Sequence, residues 1–550
     1  MDRVLSAFRW LFRGASDRLA PRWIFLRALG CIYFSAFFSL VFQIRGLIGP
    51  DGILPASEYL KAVAQSLGYS RGVWFAPTLL WFSSGAHMLI ALCWIGMIAS
   101  VMLVLNLWPR GMLFVCFVCF LSFVSAAQDF SGYQSDGMLL EAGFIALFFA
   151  PRGFRPGLGA ASVPSRASLF LLQWEWFRIY FESGLAKILG GDPEWRHFTA
   201  MDEYYQNGPL PTWVGWYVQH LPHWFHYSTA VATIALELGL VWMLFFPRRW
   251  RIVCFFIVTP WEIGVILTAN YTFLNYLVLV LGFLLLDDRF LLRFWPQRWR
   301  KSISASGAAK VNDQLELFDT RAGHNDPGEP ADEARESAEY ESMFRWRLRI
   351  VKVSLVSIIL SWIFYATFAE LIWMFSSFPL PATPVALLEP FRIANRYGLF
   401  GVMTRGRFEI EFQGSNDGTN WLAYRFRFKP QELDKAPGIY APYQPRFDWN
   451  LWFASLGSWQ DYPIVPRTEV KLLENDSDVL RLFNGGPFST QPPREIRAVL
   501  WQYWFTSVEE KRATGRWWRR EFVGLYAPTL ERGADGSIRA LEMPTAAPRE

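Results

Sequence analysis

The sequence predicts a polytopic α-helical membrane bundle of about nine spans, joined to a mainly β, sandwich-like C-terminal domain with helical insertions. Three observations carry this. Apolar runs long enough, or nearly so, to cross a bilayer recur between Trp23 and Leu286, and one more follows at about 350–373. Beyond Pro379 the pattern changes to a strict alternation of apolar and polar residues. Finally, 52% of the 550 residues are hydrophobic while 18% carry charge. That is too apolar for an ordinary soluble chain and too charged for one lying wholly in lipid.

The spans are expected near 24–46, 80–106, 111–127, 137–150, 167–189, 224–246, 252–268 and 272–287, the fourth and last of these being short. The N-terminus mimics a signal peptide. Its apolar run continues for a full span, however, and lacks a small-x-small cleavage site, so it reads as a retained first helix. Positive charge orients the set. Arg3, Arg9, Arg13, Arg18 and Arg22 precede the first span and should stay cytoplasmic. Counting spans places Arg110, then Arg152, Arg155 and Arg166, then Arg248, Arg249 and Arg251 on that same side. The C-terminal domain then falls on the opposite side, away from the cytoplasm.

The expected domain plan is 1–290 membrane helices, 291–345 a disordered cytoplasmic linker, 346–374 the last span, 375–530 the C-terminal domain and 531–550 a flexible tail. Within 375–530, Phe408, Ile410 and Phe412 alternate with Glu409, Glu411 and Gln413. Tyr424, Phe426 and Phe428 alternate with Arg425, Arg427 and Lys429, and the dense turn signal 414–420 lies between. This predicts a hairpin with one apolar face and glutamates opposite arginines on the other. Further strands are expected at 496–505 and 517–525, with helices at 449–456 and 467–483. All five cysteines lie in apolar segments, so the C-terminal domain holds no disulfide. The net charge of +5 is small for this length and its arginines sit at helix ends, which excludes a nucleic-acid footprint.

Several constellations bear on chemistry. Glu175, Arg178 and Glu182 share one helical face inside the fifth span, with Lys187 near its end. Glu141, Glu237, Glu262 and Glu370 lie in or beside other spans. An unpaired charge in lipid costs at least ~2.5 kcal/mol, so these groups should face inward and pair, either as a structural network or as a functional polar chamber. His220, His223 and His226 invite a metal reading, but Pro222 interrupts the run and aromatic neighbours fit an interfacial belt better. Gly68-Tyr-Ser70-Arg-Gly72 matches the esterase elbow by letter only, since a helical stretch rather than a strand precedes it. No cofactor is expected.

Many spaced motifs resemble the lipase maturation factors. In the membrane half they are Arg178 through Ser183-Gly184-x-x-Lys187, Asp192-x-x-Trp195, the run 204–212, Glu237, Asn270-Tyr-x-Phe-x-Asn275 and Asp287-Asp288. In the C-terminal half they are the run 397–404, Gly414-Ser-Asn-Asp-Gly418, Trp421, Pro442-x-Gln-Pro-Arg-x-Asp-Trp449, Pro492-Pro493 and Arg516-Trp-Trp-x-Arg-Glu521. The resemblance implies a multi-pass membrane chaperone that matures secreted client proteins, lipases foremost. In eukaryotic relatives the C-terminal domain would lie in the endoplasmic reticulum lumen; this chain looks bacterial in style, so its expected place is the cytoplasmic membrane with that domain in the periplasm. Client-binding candidates are Tyr397, Phe400, Tyr443, Arg446, Asp448, Trp449, Trp452, Trp517 and Trp518, because aromatics and arginine dominate recognition surfaces. At least half of these tryptophans are expected in the core, whereas Arg446 and Asp448 read as a charged pair in a loop with little packing role. Two rival readings remain. The membrane half is similar, more distantly, to the vitamin K-dependent γ-carboxylases, which would make Glu175, Arg178, Glu182 and Lys187 catalytic toward a lipid or peptide. The turn 414–421 resembles that of discoidin-like sandwiches, which would imply a glycan-binding module.

Overall fold

The computed structural model describes residues 14–294, 332–488, 491–533 and 535–545. Helices stand at every position marked by an apolar run: α1 Leu19–Val41, α2 Ala86–Val104, α3 Pro109–Val124, α4 Gln134–Phe149, α5 Arg166–Leu189, α6 His223–Leu238, α7 Arg248–Thr268, α8 Leu274–Gly282 and α9 Asp332–Trp373. By length and composition five are long and apolar enough to cross a membrane: Leu19–Val41, Ala86–Val104, His223–Phe245 (α6 with its 3-10 extension), Arg248–Thr268 and Ile350–Trp373. Pro109 opens α3, Pro222 and Pro247 immediately precede α6 and α7, and the Ser165 hydroxyl caps α5 by accepting from the Ser168 N–H. Free N–H groups at the start of α1 are met differently. Asp288, 268 or more residues away, accepts from Leu19 at 3.1 Å and Ala20 at 2.7 Å.

The arginines expected ahead of the first span divide. Arg3, Arg9 and Arg13 lie outside the described residues, whereas Arg18 and Arg22 are buried. Arg22 donates to the carbonyls of Leu158, Gly159 and Ser162, Arg110 to that of Ala150, and Arg248 pairs with Asp287. These contacts gather the basic helix ends at one end of the bundle. Of the expected linker, 295–331 lies outside the described residues, but 332–345 is helical and extends the last span rather than forming a loop.

The C-terminal domain is built on one antiparallel sheet of six strands: β1 Arg407–Ser415, β2 Leu422–Ala423, β3 Glu495–Phe505, β4 Trp518–Leu525, β5 Thr529–Arg532 and β6 Ile538–Glu542. Two helices, α10 Arg446–Ser455 and α11 Ile464–Leu473, pack on it. Ile410, Phe412, Ala498, Leu500 and Ile496 share one face by register and are buried with Leu451 of α10 and Leu472 of α11. Each such large aliphatic or aromatic side chain contributes about 1.5–3 kcal/mol when fully buried. No second sheet occurs among the described residues, so the sandwich expectation, and with it the discoidin likeness, gives way to a single sheet covered by helices. The tail expectation also fails, because β5 and β6 extend the sheet through residues 529–542.

The hairpin expectation is half right. β1 pairs with β2 only at Gln413–Ala423 and Gly414–Leu422, and after the Tyr424 N–H meets the Phe412 carbonyl at 2.9 Å the chain turns away. The long partner of β1 is β3, from Arg407–Tyr503 to Ser415–Glu495. Glu409 and Glu411 therefore do not face Arg425 and Arg427. Both are buried under the 424–433 loop, Glu409 held by Arg407 and by Lys429 at 2.8 Å, Glu411 by Arg520 at 3.1 Å and Gln431 at 3.0 Å. Alternation marked two buried faces, one apolar and one ion-paired.

Candidate functional site

The charged face of α5 and the motif beginning at Asn395 form one structure. Arg178 pairs with Glu141 of α4, approaches Glu182 at 3.7 Å and donates to the Asn395 carbonyl at 2.6 Å. Glu141 in turn accepts from the Asn395 backbone at 3.1 Å and from the Tyr397 hydroxyl at 3.0 Å. Glu182 accepts from the Tyr397 N–H at 2.7 Å, and the Ser183 hydroxyl from the Leu399 N–H at 3.2 Å. Lys187 joins Glu237 at 2.9 Å and donates to the Leu399 carbonyl at 2.9 Å. The strap continues, with Trp195 donating to the Phe400 carbonyl, Asp192 accepting from Met403, and Asn207 donating to the Thr404 carbonyl. A close backbone approach is needed here. A Cβ on Gly401 would meet the Ala186 Cβ at 3.1 Å.

A second strap lies beside the first. Asn270 donates to the Gly438 carbonyl at 2.9 Å and accepts from the N–H groups of Tyr440 and Ala441. Gln43 donates to the Gln444 carbonyl at 2.9 Å. Arg446 then grips Asp136, at the start of α4, with two bonds of 2.7 and 2.8 Å and donates to the Phe130 carbonyl at 2.7 Å. Its guanidinium lies 4.6 Å from the Phe123 ring centroid, and both Arg446 and Asp136 are wholly buried. Asp448 is buried too, accepting from the N–H groups of Phe428 and Lys429 at 3.2 Å each.

Most of the client-surface expectation is therefore corrected. Arg446, Asp448, Tyr397, Trp449, Trp452 and Trp518 are buried, and the pair read as a loop feature divides, Arg446 joining α10 to the start of α4 while Asp448 holds the 428–429 backbone within the C-terminal domain. Tyr443 is half-buried with its hydroxyl bonded to Gln43, and Trp517 stacks edge-on against Trp216 at 5.3 Å. Phe400, half-buried between Tyr204 and Tyr271, reaches an open cleft. Of the residues that the γ-carboxylase-like reading groups together, Arg178 and Glu182 are buried beneath the 395–401 strap, Lys187 is buried but borders a separate cavity between α6 and α7, and Glu175 lies deeper with neither carboxylate oxygen in a hydrogen bond of normal geometry.

What lies open is a cleft along the seam. One section of about 700 Å³ is lined by Leu189, Met374, Phe400, Val402, Trp452 and Phe453, among others. It shares Gly132, Tyr133, Gln134 and Arg396 with a section of about 260 Å³, which shares Val124, Ser131, Glu389 and Arg392 with a third of about 650 Å³ reaching Trp74 and Phe75. Val402 is 71% exposed, and Leu189, Trp74 and Phe75 are exposed as well, an apolar band rimmed by polar groups.

Residues 20–293 match the lipase maturation factor transmembrane domain, and residues 393–528 match the lipase maturation factor C-terminal domain. Lipase maturation factor 2 of Gallus gallus is 33% identical, over 93% of this chain and 82% of its own length. The chain belongs to the lipase maturation factor family. Lipase maturation factor 2 of Homo sapiens is 30% identical over 94% and 84%, and lipase maturation factor 1 of Bos taurus 30% over 93% and 89%. No solved structure matches.

In this family member the histidine run does not converge. His220 bonds the carbonyls of Trp216 and Thr506, His223 lies 3.0 Å from Asp202, and His226 is buried against Tyr205. No group of three metal-ligating side chains occurs among the described residues. Ser70 of the esterase-like match lies in the first turn of a helix, Tyr69–Phe75, that follows another helix, Ala56–Leu67, rather than a strand. Reading the sequence missed Asp136 and Asn395 as partners, since nothing local marks a charge whose counterpart lies in the other half.

Asp448 carries a pH prediction. Burial raises its carboxyl from an ordinary 3.8 to about 6, against the opposing pull of Lys429 and two backbone N–H groups. A folded value above the unfolded one means that its stabilising contribution is full below 3.8 and lost as pH rises through about 6. At about 1.4 kcal/mol per unit this amounts to roughly 3 kcal/mol at most. Asp448→Asn keeps an acceptor for Phe428 and Lys429, so it is expected to flatten the fall in melting temperature across that window. An unchanged slope in purified protein would discount Asp448 as the titrating group.

Proposed function

We propose that this chain is a membrane-embedded maturation factor whose cleft holds a segment of an incompletely folded secreted client, a lipase in the first instance. The observation that carries this reading is the cleft itself. It is long, lined by exposed apolar side chains, rimmed by Arg392, Arg396, Glu389 and Gln134, and seated where both family-defining halves meet. The relatives' names supply the client class. In this reading the nine helices cross the bilayer, the arginine-rich helix ends face the cytoplasm, and the cleft opens on the opposite compartment, where secreted proteins fold.

Val402→Asp tests this, because Val402 projects into the cleft with little packing of its own. A charge there is expected to weaken client binding by about 1–2 kcal/mol while the factor's own abundance holds. The measurement is secreted lipase activity per unit of secreted lipase protein in cells carrying only the variant. A fall in this ratio supports the cleft as client surface. An unchanged ratio for Val402→Asp and for Leu189→Asp removes it.

A further inference from the structure

A cavity of about 430 Å³ lies between α6 and α7, backed by α5 and α8, and falls within the about 300–1,000 Å³ typical of small-molecule sites. It is distinct from the cleft, meeting it where Leu274, Leu399 and Phe400 stand between the two. The consecutive helices α6 and α7 pack chiefly on other elements, α6 on α5 and α7 on α8, which leaves the gap between them. On α6 the lining positions Phe225, Thr229, Thr233 and Glu237 recur every fourth residue. At ~1.5 Å per residue they spread the cavity along about 18 Å of helix. Pro260 and Gly264 of α7 stand exposed at the mouth. Around them Val231, Phe256, Ile257, Ile263 and Leu267 are exposed on the outer faces of the two helices. Apolar helix faces of this kind in a membrane-spanning segment meet hydrocarbon, so whatever enters the cavity arrives laterally from the bilayer.

The back wall is polar but offers nothing to an anion. Lys187 is the one cation among the described lining residues, and Glu237 already takes it at 2.9 Å. Glu262 accepts from the Tyr180 hydroxyl and from Asn275 Nδ2, each at 2.6 Å, and so adds carboxylate character to the wall. Asn275 Oδ1 has no hydrogen-bond partner although the residue is only 8% exposed. Pro260 has no N–H to give the Phe256 carbonyl, which leaves a second acceptor beside the mouth. Buried acceptors without donors are costly, and a ligand hydroxyl would meet them.

We propose that this cavity binds an uncharged, hydroxyl-bearing glycerolipid of the monoacylglycerol or diacylglycerol type. An acyl chain lies along α6, and the free hydroxyl donates to Asn275 Oδ1. The site discriminates against phosphate and carboxylate head groups because its only cation is spent.

The test uses the full-length protein in lipid nanodiscs with two photoreactive probes of equal chain length, a monoacylglycerol and a lysophosphatidic acid. The neutral probe is expected to label peptides of α5–α8, to be displaced by unlabelled monoacylglycerol, and to label far more than the anionic probe. A Cβ on Gly264 meets no atom within 4 Å, so Gly264→Trp places an indole at the mouth without disturbing packing and is expected to abolish labelling. Val231→Trp, on the outward face, is expected to leave it intact. Labelling that survives Gly264→Trp in a protein of unchanged melting temperature overturns the site, as does wild-type labelling that maps outside α5–α8. Equal labelling by the anionic probe overturns the head-group assignment. Should Gly264→Trp fail to fold, failure of unlabelled monoacylglycerol to displace the neutral probe from wild-type protein overturns the proposal on its own.

Discussion

Arg446→Ala is expected to deplete the protein from the membrane, with loss of client maturation following in proportion. The substitution leaves Asp136 as a wholly buried carboxylate without its two guanidinium bonds, and leaves the Phe130 carbonyl without a donor. Removing one partner of a buried pair costs about 3–5 kcal/mol, a large share of the about 5–15 kcal/mol by which folded proteins are held. A charge-free replacement separates lost packing from stranded charge. Arg446→Met combined with Asp136→Leu is expected to recover most of the abundance, because an apolar pair of similar size avoids the desolvation penalty. Quantitative blotting of the factor beside secreted lipase specific activity is the measurement. Full abundance of Arg446→Ala with lost maturation would mean that Arg446 serves the client, and the joint described above would be wrong.

Arg178→Met is the second large effect. It strands both Glu141 and Glu182 and removes the donor from the Asn395 carbonyl, so the first strap loses its anchor at one blow. The cost is expected to exceed the about 3–5 kcal/mol of a single broken pair. Lys187→Met should be milder, since its partner Glu237 keeps some access to the cavity and only one strap carbonyl loses a donor. Because Lys187 touches the strap, its loss also disturbs a non-enzymatic factor, so impaired maturation in Lys187→Met does not by itself mark an enzyme. Limited proteolysis of detergent-purified variants reads the strap directly. Cleavage within 393–407 is expected to be fastest in Arg178→Met, intermediate in Lys187→Met and slow in wild type. Wild-type protection in Arg178→Met would show that the strap is held by other contacts.

These two arginines show where sequence patterning informs and where it stops. Apolar period and length located α1–α9, and alternation located β3 to within a residue of its start, because both signals are local to the element that carries them. The same alternation misassigned the partner of β1. Pairing is decided by which strand docks along the hydrogen-bonding edge, and β3 lies some 80 positions downstream. Arg178 was recognised as an inward-facing charge, since lipid leaves an arginine few alternatives. Arg446 reads as a surface group because flanking prolines and an aspartate two positions on imitate a solvated loop. Its true partner, Asp136, is 310 residues earlier, and no local statistic connects them. The family motifs proved informative in an unexpected way, since many of the residues they name line the seam between the halves rather than an exposed recognition surface.

That separation has a consequence for biogenesis. At about 5–20 residues per second, a ribosome needs about 15–60 s to travel from Asp136 to Arg446. Throughout that interval the nascent bundle holds Asp136, Glu141 and Glu182 in place without the backbone and guanidinium groups that later satisfy them. A chain that stalls or is truncated before residue 395 thus displays Asp136 without its cation, and leaves Glu141 and Glu182 to Arg178 alone, at one end of an otherwise apolar assembly, a mark that membrane quality control can read. Completion of the last domain erases the mark. The factor's own assembly is in this sense self-reporting, and every molecule that escapes degradation has already closed the seam on which its cleft depends.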